Sequence, residues 1–155
     1  MMTRLSCDVL TALKGKTLAT AESCTGGGIG SALTAIPGSS AIYKGGVISY
    51  THEIKQNLLG VDCDVLNQYG AVSEPVALAM AVGARRVLKT DVAVSVTGLA
   101  GPDGDDRGNP VGLVYIGYAD SNITNCTKCY FSGDRDAVRQ QAVCAALEII
   151  LKHNQ

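Results

Sequence analysis

Apolar positions recur along the chain in two rhythms. Leu5, Val9, Leu10 and Leu13 sit at helical spacing, and Gly15 can end that helix. Thr17 to Ala21 is small, β-branched and apolar, which predicts a buried strand. Glycines at 26 to 28 break it, and Ile29, Ala32 and Leu33 restart as a short helix to about Ala35. Pro37 to Ser40 reads as a loop, and Gly45 to Thr51 as a second strand. Two short helices follow, over Glu53 to Leu59 and Cys63 to Tyr69. A long one runs from Ser73, its N-cap, to about Lys89. Ala77, Met80, Ala81, Ala84 and Val87 give that helix a small-residue face for packing on a sheet.

Asp91 to Thr97 is apolar almost throughout and reads as a central strand. Gly98 to Pro110 is a long loop, of the length that usually serves function or stays mobile. Val111 to Ala119 and Cys126 to Phe131 form a hairpin around Asp120 to Asn125. A last helix runs from near Asp134 to about Lys152. Helices alternate with strands early and a hairpin closes the series. The fold class expected is α/β: a three-layer α/β/α sandwich with a mixed, mainly parallel central sheet. Residues 1–155 are expected to form a single domain.

Composition narrows the function classes. The chain is 46% hydrophobic, only 17% charged, and has a net charge of −1. That balance suits covered layers, or a subunit burying further area in an oligomer. With no basic run, no Trp and one Phe, a nucleic-acid surface is not expected. The N-terminus carries no long apolar run, so neither a signal peptide nor a membrane span is expected. The six cysteines are scattered. Cys126 and Cys129 form a C-x-x-C pair, but strand alternation sends their side chains to opposite faces, which argues against zinc or thiol redox chemistry. Reduced thiols and a cytoplasmic location are the expectation.

The stretch Glu22-Ser23-Cys24-Thr25-Gly26-Gly27-Gly28 is the first candidate site. A strand that breaks into glycines and restarts as a helix lets a ligand approach the backbone, and the helix start offers N–H groups to an anion. The plain structural alternative is a tight connection with small capping residues. Ser23 and Cys24 both carry potential nucleophiles. Without a histidine partner the thiol ranks second, as a buried packing residue. The only histidines are His52 and His153, the latter at the C-terminal end, so a Ser-His-Asp triad has little support. The loop acids Asp103, Asp105 and Asp106 lack a clear ligand spacing, and a solvated loop is expected there.

Several motifs, in order, cover nearly the whole chain: Ala21-Glu22-Ser23-Cys24-Thr25-Gly26-Gly27, Pro37-Gly38-Ser39-Ser40, Tyr50 with Lys55, Gly70-Ala71-Val72-Ser73-Glu74-Pro75, Gly98-Leu99-Ala100-Gly101-Pro102-Asp103-Gly104 and Phe131-Ser132-Gly133-Asp134-Arg135. Together they resemble the CinA C-terminal domain family, whose stand-alone members are nicotinamide-nucleotide amidases. The resemblance implies an α/β/α fold, assembly into a homo-oligomer, and hydrolysis of nicotinamide mononucleotide to nicotinate mononucleotide and ammonia. Larger members carry a further N-terminal domain, which is not expected within these 155 residues. His52 stands where the family would lead one to expect asparagine.

Carried over by position, the resemblance implies Ser23 as nucleophile and Lys55 as its base, with Tyr50 beside them as a third catalytic residue. A serine hydroxyl needs a base to attack a carboxamide, and a lysine serves only if burial or nearby positive charge keeps it neutral. Backbone N–H groups at the glycine turn are candidates for holding the oxyanion. Thr25, Gly26, Gly27, Arg135 and Arg139 are the expected substrate-binding residues, the two arginines for the phosphate. No metal and no organic cofactor is expected. The competing reading is a non-catalytic nucleotide-binding or assembly module of the same fold. By residue type alone, Lys55 reads as a solvated helix lysine and Tyr50 as a core aromatic.

Overall fold

A computed structural model describes residues 1–155. Its strands are β1 (Leu18–Glu22), β2 (Tyr43–Ile48), β3 (Val92–Gly98), β4 (Leu113–Ala119) and β5 (Thr124–Tyr130). The helices are α1 (Met2–Ala12), α2 (Gly28–Thr34), α3 (His52–Leu59), α4 (Cys63–Tyr69), α5 (Glu74–Leu88) and α6 (Arg135–Asn154). The five strands form one sheet in the order β2-β1-β3-β4-β5. β1 pairs in parallel with β2 and β3, while β4 runs antiparallel to both β3 and β5. α1, α2 and α6 cover one face, and α3, α4 and α5 the other. The expected mixed α/β/α sandwich is the fold observed.

Alternation along the central strands sorts the two cores. Leu18 on β1 and Val92, Val94 and Val96 on β3 point to the α1, α2 and α6 side, joining Ile29, Leu33, Val138 and Leu147. Ala19, Ala21 and Ala93 point to the other side, against Val76, Met80 and Ala84 of α5. Small residues there bring helix and sheet very close. A Cβ added at Gly117 would lie 2.4 Å from the Ala77 carbonyl oxygen. Val87, expected on the buried face of α5, is instead 46% exposed, and Leu88 takes the inward position in that last turn.

The largest boundary difference is β2. It begins at Tyr43 rather than Gly45 and ends at Ile48 rather than Thr51. Thr51 starts α3 as its N-cap, its hydroxyl accepting from the Ile54 N–H. β5 likewise starts two residues earlier than expected. Ser73 does cap α5 by position, but its hydroxyl turns back to donate to the Gly70 carbonyl at 2.8 Å. No helix is long and apolar enough to cross a membrane.

The chain leaves β1 through α2 to reach β2 on one side, and later returns through α3, α4 and α5 to place β3 on the other. The carboxyl ends of β1 and β3 therefore flank a topological switch point, where open α/β sheets commonly bind ligands.

Candidate active site

Three parallel strands end at one place. Ser23 follows the last residue of β1, and its N–H continues the ladder to the Val96 carbonyl at 3.0 Å. Ser49 follows β2 and does the same to the Glu22 carbonyl at 2.8 Å. Both residues are thus fixed by sheet hydrogen bonds although they lie just outside the strands. A cavity of about 320 Å³ opens beyond them, near the lower end of the ~300–1,000 Å³ usual for small-molecule sites. Ser23, Cys24 and Lys55 line it, with Tyr50 and Arg135 among the outer residues. Gly70 to Val72 and Thr97 to Gly101 form further walls, and His52 and the loop residues Asp103, Asp105, Asp106 and Arg107 also line it.

Lys55 lies on the first turns of α3, whose N-terminus is set by the Thr51 cap. That turn points the side chain inward, and the residue is only 1% exposed. Its Nζ donates to the Ser23 Oγ at 3.0 Å and to the Ser49 carbonyl at 2.6 Å. No carboxylate is paired with it. Desolvation accordingly lowers its pKa to about 8, because burial penalises the ammonium form. The same amine can donate to Ser23 when charged and accept the hydroxyl proton when neutral. Cys24 is buried beside it, and burial pushes its thiol up to about 11.

The turn after Ser23 departs from expectation in one respect. The start of α2 is not open to a ligand anion, because Glu22 already occupies it. This carboxylate is 2% exposed and accepts from the N–H of Ile29 at 2.9 Å, the N–H of Gly30 at 3.1 Å and the hydroxyl of Thr25 at 2.8 Å. The chain supplies its own anion to the helix. Gly26 and Gly27, with φ of +56° and +98°, make the left-handed bend that brings α2 back over Glu22. Sequence reasoning missed this role, since Glu22 reads as one more polar residue of the turn. Its signal is a carboxylate ending an otherwise apolar strand just before a glycine run.

The other candidates separate into two groups. Tyr50 and Arg135 line the cavity; Tyr50 is 57% exposed, outside any strand, and its hydroxyl accepts from Arg135 Nη2 at 3.1 Å. Arg135 also donates to the Gly101 carbonyl at 2.6 Å. Thr25, Gly26, Gly27 and Arg139 do not line this cavity. Thr25 is committed to Glu22. Arg139 donates from Nε to the Cys24 carbonyl at 3.0 Å and from Nη2 to the Thr25 carbonyl at 3.2 Å. Arg107, not singled out from the sequence, lines the cavity and ties the Gly98–Pro110 loop to the end of α4 by donating to the Asn67 and Gln68 carbonyls.

The family model for the CinA C-terminal domain matches residues 3–153. The nicotinamide-nucleotide amidohydrolase PncC of Escherichia coli (strain K12) is 47% identical over 139 residues, 88% of this chain and 84% of that protein. A CinA-like protein of Cyanothece sp. is 52% identical over 137 residues, 87% of this chain. A competence-damage inducible protein of Desulforudis audaxviator is 45% identical over 88% of this chain. The chain spans only about a third of the length of these last two relatives. Among solved structures, a CinA superfamily protein from Enterobacter cloacae superposes with a TM-score of 0.97 at 30% identity, covering 100% of this chain and 93% of that one. A competence/damage inducible protein from Agrobacterium tumefaciens gives 0.95 at 39% identity, covering 99% and 96%.

Proposed function

The chain belongs to the CinA C-terminal domain family, and from that premise we propose that it hydrolyses the carboxamide of nicotinamide mononucleotide, giving nicotinate mononucleotide and ammonia. One observation carries the reading: a buried, unpaired lysine whose Nζ lies 3.0 Å from the hydroxyl of Ser23, at the cavity floor. The substrate follows from the E. coli relative that covers most of this chain.

In this reading neutral Lys55 takes the proton of Ser23 as Oγ attacks the carboxamide carbon. The carbonyl oxygen becomes an oxyanion. The N–H groups of Cys24 and Thr25, which donate to no protein acceptor, are the donors proposed for it. Lys55 returns the proton to the amide nitrogen, the C–N bond breaks, and ammonia leaves an acyl ester on Ser23. Water then attacks the ester, again giving its proton to Lys55, and the acid is released with Ser23 restored. Throughout, the Ser49 carbonyl holds Nζ in line with Oγ. Arg135 is proposed for the substrate phosphate at the rim, with Tyr50 holding its guanidinium from one side.

Ammonia release from nicotinamide mononucleotide tests the activity. Ser23→Ala should abolish it while leaving the fold and mononucleotide binding intact, since one small hydroxyl is lost. Cys24→Ser should keep substantial activity. The reverse pattern would move the nucleophile to the thiol, and no ammonia from the unaltered protein would favour a binding module.

A further inference from the structure

We propose that Arg139 is a positioning residue, which holds the turn after the nucleophile from behind so that its amides face the reacting carbonyl. The inference rests on the Ser23 reading above.

The peptide units that follow Ser23 are each fixed through their oxygens. The Ser23 carbonyl accepts from the Gly26 N–H at 3.0 Å, and the Thr25 carbonyl from the Gly28 N–H at 2.9 Å. The Cys24 carbonyl has no backbone donor, and Arg139 Nε supplies one at 3.0 Å. Arg139 Nη2 adds a second donor to the Thr25 carbonyl. One planar guanidinium thus spans two successive carbonyls, a geometry that a lysine does not reproduce.

Direction follows from the planarity of the peptide. In a trans unit the N–H points opposite to the C=O. Arg139 reaches the carbonyls from a separate cavity of about 620 Å³ among α1, α2 and α6, which Thr25 and Gly28 also line. Ser23 and Cys24 line the catalytic cavity on the other side. Holding the Cys24 oxygen on the Arg139 side therefore turns the Thr25 N–H toward the catalytic side. With those of Cys24 and Gly27, that N–H is one of the three in the turn without a protein acceptor. The guanidinium charge also polarises these carbonyls, which makes the amides bonded to them stronger donors. An added Cβ at Gly26 would lie 3.4 Å from Arg139 Nη2, so the arginine is packed against the turn as well as bonded to it.

The test is Arg139→Met, which keeps the apolar stem and removes the donors. Losing a single oxyanion donor typically costs about 10²–10³ in kcat, and a misaligned one should cost about ten- to a hundredfold. That loss should fall on kcat, with KM for nicotinamide mononucleotide and the pH midpoint unchanged. Nicotinamide riboside, which lacks the phosphate, should lose the same factor. The 3-formyl analogue of the mononucleotide, which adds to a serine hydroxyl as a tetrahedral hemiacetal, should bind correspondingly more weakly. Arg139→Lys should show an intermediate loss, and it decides the matter if the methionine variant folds poorly. An unchanged kcat in folded Arg139→Met, full activity in Arg139→Lys, or a rise in KM confined to the phosphorylated substrate would overturn the proposal. None of those results touches the Ser23 reading, which falls only if the unaltered protein releases no ammonia or Ser23→Ala remains active.

Discussion

The turn from Glu22 to Gly30 and the loop from Gly98 to Pro110 leave neighbouring strands at the same sheet edge, and both are rich in glycine. They are held in opposite ways. The turn is clamped by two charged side chains, Glu22 taking its donors and Arg139 its acceptors, with Glu22 buried. The loop is tied from outside by exposed arginines: Arg107 to the end of α4 and Arg135 to the Gly101 carbonyl. Asp105 only folds the loop on itself, accepting from the N–H groups of Arg107 and Asn109. Helix α6 holds both walls, with arginines four residues apart. The difference teaches where precision is spent: the proposed nucleophile sits on the wall held by a buried carboxylate and a half-buried arginine, and phosphate recognition is proposed on the wall whose arginines meet solvent.

The largest effect expected is at Lys55, which completes the rigid wall. Lys55→Arg should lower kcat/KM by about 10³-fold, because a guanidinium stays charged and takes no proton. In the proposed mechanism Lys55 acts in its neutral form, and burial lowers its pKa to about 8. Activity should therefore rise through about pH 8 and fall on acidification below it, as Lys55 takes up a proton. A flat kcat/KM profile between pH 6.5 and 9.5 would remove Lys55 as the base.

Next in size is Glu22→Gln. The amide retains one acceptor oxygen and sets an NH2 group against helix N–H donors, so at least one buried donor loses its partner. Hydrogen bonds to a charged group contribute about 1.5–3 kcal/mol each. A loss near 2 kcal/mol corresponds to a fall in melting temperature of about 4–8 °C for a chain of this size. A melting temperature within 1 °C of the unaltered protein would show that the turn holds without its anion.

The smallest effect is expected on the solvent-facing wall. Arg135→Ala should raise KM for nicotinamide mononucleotide about tenfold, the scale of one charge-assisted phosphate contact, and leave kcat nearly unchanged. Nicotinamide riboside should be barely affected. Equal losses with both substrates would make Arg135 a tether of Gly101 rather than a phosphate ligand, and would erase the contrast between the walls.

Elements with a long, clean rhythm were legible in the sequence. β3 is apolar at all but Ser95 and Thr97 before its terminal Gly98 because it is covered on both faces, and α5 is capped by Ser73 with Pro75 in its first turn. β2 was less so. As an edge strand with Gly45 and Gly46 in its middle, it carries a weak apolar signal, and its start at Tyr43 is fixed by the parallel pairing with Leu18. The burial of Lys55 was not legible from residue type. It depends on a hydroxyl 32 residues earlier and a carbonyl six residues earlier, which only the paired ends of β1 and β2 bring together. The resemblance to a family supplied the pair, and the fold supplies the reason it lies out of water. Arg135 and Arg139 looked equivalent, two cations near the start of one helix. One helical turn separates them, and that is enough to send one to each wall.

Cys24 stands next to Ser23, the proposed nucleophile, with its thiol raised to about 11 by burial. Alkylating agents and peroxides attack the thiolate, so at neutral pH they meet an inert sulfur there. A serine hydroxyl has no corresponding oxidation series. On the Ser23 reading, with an oxygen as the attacking atom and the neighbouring sulfur held as a thiol, activity should survive peroxide that would stall a cysteine hydrolase.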